Sequence, residues 1–402
     1  MHVVMLGDQP IGSLGGAQVS MRLQRRHLER AGHTVTVVAP RAPRAPARAQ
    51  DDVGLFSLPM TMDREYAWSW PGAAGDRAID AALAQRPPVD VVHVQGDFWG
   101  AYLGYRLGRR HELPVVHTMH NRVDVGIAAL TPFPRPVLAV LHLWQTRQLG
   151  RERAVGPAAR DGWSYLGRFG REAAAVTAPS THFADRLRAH GVAESIDVVP
   201  NGIDDDALDR VLSEPPGPTG EGGRPRLLWL GRMSPEKRVL PFLRAVAESG
   251  VEADVEVIGG GNELAAAKRL VTRLRPQARV RFPGRLPYVQ ALRRIRSADA
   301  VVQSSLGFET QGMTVFEAAS LGTAAVVCDP DIAHELGRGY WLARGQADDP
   351  RDSDRALAQT LRDAVADIRA GHPPRPDEHA GERMRQSTRT AQMLRVYERV
   401  TA

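Results

Sequence analysis

The stretch "PRLLWLGRMSPEKRVLPFLRAVAESGVEADVEVIGGG", residues 225–261, reads as a strand, a loop, a helix and a second strand. "PRLLWLGR" is an apolar run that ends in a polar loop, and "VLPFLRAVAESG" has the pattern of a helix ended by Gly250. "ADVEVIGGG" is again apolar and β-branched. Strands joined through a helix are parallel, and near-continuous apolar strands belong to a sheet covered on both faces. The reading is a doubly wound α/β domain.

The same alternation continues toward the C-terminus. "ELAAAKRLVTRLR" and "VQALRRIRSAD" are helical by pattern, while "VRFPGRL", "AVVQSS" and "AAVVCD" read as strands. Toward the N-terminus, "LSEPPGPTGEGGRPR" (212–226) is rich in Pro and Gly, has no periodicity, and reads as a connector. Before it, "HVVMLG", "HTVTVVAP", "VDVVHVQG", "PVVHTMH" and "AAAVTAPS" repeat the apolar strand pattern. "AQVSMRLQRRHLERAG" is a helix ended by Gly32. Two similar open-sheet domains in series are expected, residues 1–200 and 201–381, with ligand crevices at the carboxyl ends of their strands. The last segment, 382–402, is helical by pattern and is expected to pack back on the first domain.

Composition narrows the class. The chain has 402 residues, of which 43% are hydrophobic, enough for two large cores. One cysteine, Cys328, excludes an internal disulfide framework and fits a reducing, cytoplasmic compartment. The start, "MHVVMLGDQPIGSLGG", reads as a core strand and not as a signal peptide, and no run approaches a membrane span. A soluble protein, or one bound at a membrane surface, is expected.

The formal net charge is +6. Residues 1–200 hold 23 Arg and no Lys against 18 acids; residues 201–402 hold 29 basic residues against 28 acids. The excess in the first half fits an ordinary solvated surface or attraction to an anionic membrane or acceptor. No zinc-finger or RNP-type signature supports nucleic acid as a partner. Lys237 and Lys268 are the only lysines.

Lys237 lies in "GRMSPEKR", five residues after Arg232 and just past a strand. Ser234 and Pro235 read as a helix start. Two cations beside a helix N-terminus make an anion site that would suit a diphosphate. A second such place is "GFETQGMTVFEA" (307–318), where Gly312 precedes a helix and Glu309 and Glu317 flank its start. Carboxylates accept hydrogen bonds from hydroxyls, which a sugar and a ribose both offer. A metal pair, an acid/base pair or plain surface glutamates are alternatives for the two carboxylates. "DPD" (329–331) and "DSD" (352–354) read as solvated turns, and His93 and His117 as packed strand residues. The loop "IGSLGGAQ" lacks the Lys of a P-loop, which argues against a nucleoside-triphosphatase.

In order and spacing, "GSLGGAQ", "HTMH", "VTAPSTHFADRLRAHGV", "VVPNGID", "GRMSPEK", "VIGGGNE" and "ETQGMTVFE" resemble the retaining glycosyltransferases of family 4. The likeness implies the GT-B fold, two doubly wound Rossmann-like domains facing each other across a cleft. It further implies a nucleotide-sugar donor held by the second domain and no divalent metal. By resemblance, Arg232 and Lys237 clamp the pyrophosphate, Glu317 holds the ribose, and Glu309 holds the transferred sugar. Backbone amides at Gly312, Met313 and Thr314 meet sugar or phosphate, and Arg285 and Leu286 meet the base. Gly15 and Gly16 let the first loop approach the diphosphate, and His120 faces the reacting centre. Transfer would retain the anomeric configuration, with the departing phosphate as proton acceptor; Glu309 as a covalent nucleophile is the less favoured route. UDP-glucose and GDP-mannose are both reasonable donors.

The "ETQGMTV" variant is similar to that of transferases acting on diacylglycerol or phosphatidylinositol. Within 122–170, "PFPRPVLAVLHLWQTRQLGRERA" and "GWSYLGRFGR" interleave apolar residues with arginines, as a surface-lying segment would; an ordinary core helix with a polar flank is the alternative. "LFSLPMTMDREYAWSWPG" (55–72) could shape the acceptor's approach. A lipid acceptor at an anionic membrane leads; a small soluble acceptor, a GT-B-fold epimerase and a non-catalytic binder are the alternatives.

Overall fold

A computed structural model describes residues 1–13, 16–41, 52–59, 67–131, 133–150, 161–215, 223–345 and 349–402. Its first elements are β1 (His2–Leu6), α1 (Gly16–Arg30), β2 (Thr34–Pro40), β3 (Asp52–Leu55), β4 (Ser57–Pro59), β5 (Ala67–Ser69) and α2 (Ala73–Leu83). There follow β6 (Val91–Val94), α3 (Trp99–His111), β7 (Val115–Thr118), α4 (Val123–Leu130), α5 (Pro134–Leu149), α6 (Gly162–Glu172), β8 (Ala175–Ala178), α7 (Thr181–Ala189) and β9 (Asp197–Val198). The next are α8 (Asp205–Ser213), β10 (Arg226–Arg232), α9 (Val239–Ser249), β11 (Asp254–Gly260), α10 (Leu264–Leu274), β12 (Arg279–Gly284) and α11 (Tyr288–Ser297). The remainder are β13 (Ala300–Gln303), α12 (Met313–Ser320), β14 (Ala324–Val327), α13 (Pro330–Leu336), β15 (Tyr340–Leu342), α14 (Pro350–Ala370), α15 (Ala380–Met384) and α16 (Gln386–Thr401).

The chain divides into two compact units, Met1–Gly202 with Gln386–Ala402, and Ile203–Arg385. The first holds a parallel sheet in the order β3-β2-β1-β6-β7-β8-β9. The second holds a parallel sheet in the order β12-β11-β10-β13-β14-β15. Each order reverses beside the unit's first strand, and that reversal opens a crevice at the strands' carboxyl ends. Strands β1, β6, β7, β8, β13 and β14 are buried along their whole length, because helices cover both sheet faces. The doubly wound α/β class expected for both halves is the one observed.

Helix α16 closes the first unit. Its Met393, Val396 and Tyr397 join a core with Met21 and Leu28 of α1 and Met5 of β1. The helical pattern of the last segment breaks at Arg385, whose backbone is extended (φ −57°, ψ 138°). Helix α15, before the break, packs on α12 of the second unit, and Ile203 N–H donates to Met384 O at 2.7 Å.

Three readings need correction. "DSD" is not a turn: Asp352, Ser353 and Asp354 lie in the first turns of α14, and Asp354 accepts from Arg244 at 2.8 Å. Asp329 of "DPD" is buried, caps α13 and accepts from Gly307 N–H at 2.7 Å. "GWSYLGRFGR" is a core helix and not a surface one: Trp163, Tyr165, Leu166 and Phe169 of α6 are all buried.

Candidate functional site

The loops after β10 and β13 flank the reversal point of the second sheet. The first begins at Arg232 and makes a single 3-10 turn, Pro235–Lys237, before Arg238 turns left-handed (φ 55°) and α9 begins. The helix start expected at Ser234 and Pro235 is thus only this tight turn. Ser234 does not cap it; its hydroxyl donates to Glu236 Oε1 at 2.6 Å, and Arg232 reaches the same oxygen at 3.2 Å.

Lys237 Nζ lies 2.5 Å from Glu309 Oε1, across 72 positions of sequence. Ser305 donates to that oxygen at 2.7 Å. The lysine backbone is held in turn, since its carbonyl accepts from Ser304 Oγ at 2.8 Å and Trp229 Nε1 donates to Ser304. Burial acts to raise the Glu309 carboxyl, but Lys237, Ser305 and Arg232 outweigh it and hold the group below its ordinary value. Glu309 is therefore an ionised acceptor at neutral pH.

Gly312 takes a left-handed conformation (φ 74°) at the start of α12, packed where an added Cβ would lie 3.2 Å from Ile332 Cδ1. Glycine has no side chain to cap the helix, so the first amides, at Met313 and Thr314, lie at a positive dipole end. One turn on, Glu317 is buried and accepts from Tyr288 Oη at 2.9 Å. Burial pushes its carboxyl up to about 7, against the Tyr288 hydrogen bond.

Arg285 and Leu286 follow β12, Arg285 exposed and Leu286 packed partly on the core beneath α11. The Arg285 guanidinium passes the glycine turn at the end of β11, where a Cβ on Gly260 would lie 3.0 Å from Arg285 Nε. That turn sits backbone to backbone on the β10 loop: a Cβ on Gly259 would lie 1.9 Å from Gly231 O. The same contact is bonded by Met233 N–H to Gly260 O at 2.8 Å.

In the first unit, Gly15 lies outside the described residues and Gly16 begins α1. His120 follows β7 and helps line a small polar hollow with Gln24, Gln95, Thr118, Asn201 and Arg389. Burial pushes its imidazole down to about 4, Asp97 opposing and His117 adding, so the ring is neutral at pH 7. Asp97 holds the loop: it accepts from Asn121 N–H at 3.1 Å and Asn121 Nδ2 at 2.6 Å. His93 and His117 are fully buried, as the sequence reading has them; His117 pairs with Tyr105 Oη at 3.0 Å and Asp97 Oδ1 at 3.2 Å.

The sequence reading missed Asp8. It follows β1, is buried, and accepts from the amides of Asp97, Phe98 and Gly100 at 2.7, 3.1 and 2.8 Å. Burial and then Asp97 push it up to about 7. Its position after a strand at the sheet's reversal point was the available signal. Tyr288 and Ser305 were missed as well, and only their partners in space distinguish them.

In the second unit, then, two cations, Arg232 and Lys237, one ionised carboxylate, one buried carboxylate and a helix start lie at the sheet's crevice. Such a place can hold a diphosphate and the hydroxyls on either side of it. Two family models match the chain: Glycosyltransferase Family 4 over residues 14–207, and Glycosyl transferases group 1 over residues 216–368. The chain is 26% identical to the phosphatidyl-myo-inositol mannosyltransferase of Mycolicibacterium smegmatis, over 100% of this chain and 94% of that one. It is also 26% identical to the alpha-monoglucosyldiacylglycerol synthase of Streptococcus pneumoniae, over 83% of this chain and 71% of the other. Among solved structures, Anabaena HepE in complex with UDP and glucose superposes with a TM-score of 0.65 at 16% identity, over 99% of this chain and all of that one. Sucrose-phosphate synthase of Thermosynechococcus elongatus does so with 0.65 at 16%, over 99% and 98%. With two such models on its two doubly wound units, the chain belongs to the family 4 glycosyltransferases and has the GT-B fold.

Proposed function

We propose that the protein transfers a hexose, with retention, from a nucleotide-diphosphate sugar to a hydroxyl on the headgroup of a membrane lipid. The observation that carries the reading is the Lys237–Glu309 pair beside the start of α12. The two neutralise each other. A donor would replace this contact: its diphosphate takes Lys237 and Arg232, and its sugar hydroxyls take the carboxylate of Glu309. Amides at Gly312, Met313 and Thr314 meet phosphate or sugar, and Glu317 accepts from the ribose. Arg285 and Leu286 offer backbone groups to the base.

As the anomeric bond breaks, charge develops on the leaving diphosphate. Arg232 and Lys237 are fixed cations for that charge and can do what a divalent metal does elsewhere. The acceptor hydroxyl attacks on the face the phosphate leaves, and the phosphate oxygen takes its proton. Glu309, still held by Ser305 once the diphosphate has taken Lys237, serves as acceptor to hydroxyls. The neutral His120 ring is assigned to hydrogen bonding at the reacting centre and not to proton uptake.

The lipid acceptor rests on the relatives named for diacylglycerol and phosphatidylinositol glycosides. A relative named D-inositol 3-phosphate glycosyltransferase, 29% identical over 258 residues, supports a soluble inositol-type acceptor as the second reading. The test is a thermal-shift series with UDP, GDP, UDP-glucose and GDP-mannose, followed by turnover with diacylglycerol or phosphatidylinositol in detergent micelles. A saturating donor at 100 times its Kd should stabilise the protein by about 2.7 kcal/mol. The one-bond carbon–proton coupling at the anomeric centre of the product reports retention. No shift with any nucleotide, or an inverted product, overturns the reading.

A further inference from the structure

Nine large apolar side chains stand exposed among the described residues, and seven of them fall in two segments of the first unit. Phe56, Leu58 and Trp70 lie on or beside the β4–β5 hairpin, exposed by 80%, 58% and 69%. Phe133, Val137, Val140 and Leu143 lie along one side of α5. Tryptophan rings join the two segments: Trp70 to Trp144 at 5.0 Å between centroids, Trp68 to Trp144 at 5.2 Å, and Trp68 to Trp70 at 5.6 Å. The hairpin is tied to the loop after β1 by Ala67 N–H donating to Gln9 Oε1 at 2.7 Å.

Helix α5 is apolar on both sides. Leu138, Gln145 and Leu149 face the core, and Val137, Val140 and Leu143 face outward at helical spacing. A helix with apolar residues all round is normally buried all round. A contiguous apolar surface rimmed by polar residues marks an interaction site. The charges say which kind. Helix α5 has no acidic residue, and exposed Arg135 and Arg147 stand near its two ends. Aliphatic residues between arginines, with tryptophans beside them, match the boundary of a bilayer: acyl chains below, phosphates above, and indoles between.

We infer that this hairpin-and-helix surface docks the protein on a phospholipid bilayer, α5 lying in the interface with Val137, Val140 and Leu143 toward the acyl chains. The inference rests on the lipid-acceptor reading and gives it a place: the enzyme would meet its acceptor in the leaflet. Anionic lipid adds attraction through Arg135 and Arg147, at the level of phosphate.

The experiment is sedimentation of the full chain with acceptor-free vesicles, of phosphatidylcholine alone and with phosphatidylglycerol. It is repeated for a Val140→Asp/Leu143→Asp variant, whose positions are solvent-exposed, so nucleotide-induced thermal shifts should match the wild type. The variant should partition onto phosphatidylglycerol vesicles at least tenfold more weakly. Tryptophan emission of the wild type should be quenched by brominated acyl chains, and less so after Trp70→Phe. Wild-type protein that ignores both vesicles overturns the inference, as does a variant that binds like the wild type. It is equally overturned if the substitutions abolish self-association in light scattering and leave vesicle binding intact, since the surface then belongs to a second copy. Transfer in detergent micelles separates the two claims. Micellar transfer without vesicle binding sinks the docking surface alone, and vesicle binding without micellar transfer sinks the lipid acceptor alone.

Discussion

Replacing Glu317 by Gln should make the second unit more stable and the enzyme worse. The carboxyl is 8% exposed and has Tyr288 Oη at 2.9 Å. Burial moves it from an ordinary value near 4.5 up to about 7. Between those two values the folded protein holds a proton that the unfolded chain has released. Stability therefore falls as pH rises through this window and levels off above about 7. At ~1.4 kcal/mol per tenfold, the ionised group costs the fold about 3 kcal/mol at pH 8. Gln keeps an oxygen for Tyr288 and has nothing to ionise. Glu317→Gln should thus match the wild type near pH 4.5 and exceed it at pH 8, by a Tm of roughly 6–10 °C for a unit of this size. The assay is thermal unfolding of both proteins, without nucleotide, across pH 4.5–8. Asp8 is pushed to about 7 as well, but it is present in both proteins and cancels in the difference. A Tm difference that does not change with pH refutes the argument. Addition of the preferred nucleotide should narrow the gap, because the wild-type carboxylate then gains ribose hydroxyls as donors.

Lys237→Ala should lower turnover by at least about 10² while the protein stays folded by circular dichroism; near-normal turnover contradicts its role. The same variant leaves Glu309 without its cation and should cost about 1.5–3 kcal/mol in urea unfolding. Gly259→Ala should be strongly destabilising, since φ is 133° and the new Cβ would meet Gly231 O at 1.9 Å. A loss of about 3 kcal/mol or more is expected, and wild-type stability in urea would show the turn to be laxer than described. Chelation with EDTA should leave the rate unchanged, because Arg232 and Lys237 supply the positive charge; strong inhibition would show a metal requirement.

The fold class was legible because the central strands of a covered parallel sheet are apolar on both sides, as "HVVML" and "AAVV" are. The alternation of such strands with helices then limits the architecture. Contacts across the crevice were not legible. Glu309 and Lys237 are 72 positions apart, and nothing local in either segment states that they touch. Local context also misled. "GWSYLGRFGR" looked interfacial because arginines flank its aromatics, yet Arg168 is buried and donates to Gly150 O at 2.5 Å, at the carboxyl end of α5. A guanidinium satisfied by a helix terminus looks, in sequence, like one that faces water. "DSD" failed for the converse reason: acids and serine suit turns and the first turn of a helix equally.

The break at Arg385 has a consequence for synthesis. The first unit is assembled from residues 1–202 and 386–402, with all of 203–385 between them in the chain. A ribosome therefore exposes the first sheet long before it releases the helix that covers one side of it. Until then Met5, Met21 and Leu28 lack Met393, Val396 and the fully buried Tyr397 as neighbours. The second unit is continuous in sequence and needs no residue beyond Arg385. The unit begun first therefore cannot be completed until the unit begun second has been wholly translated. Folding of the unit begun first is gated by its last helix, and chaperone demand should concentrate in that interval.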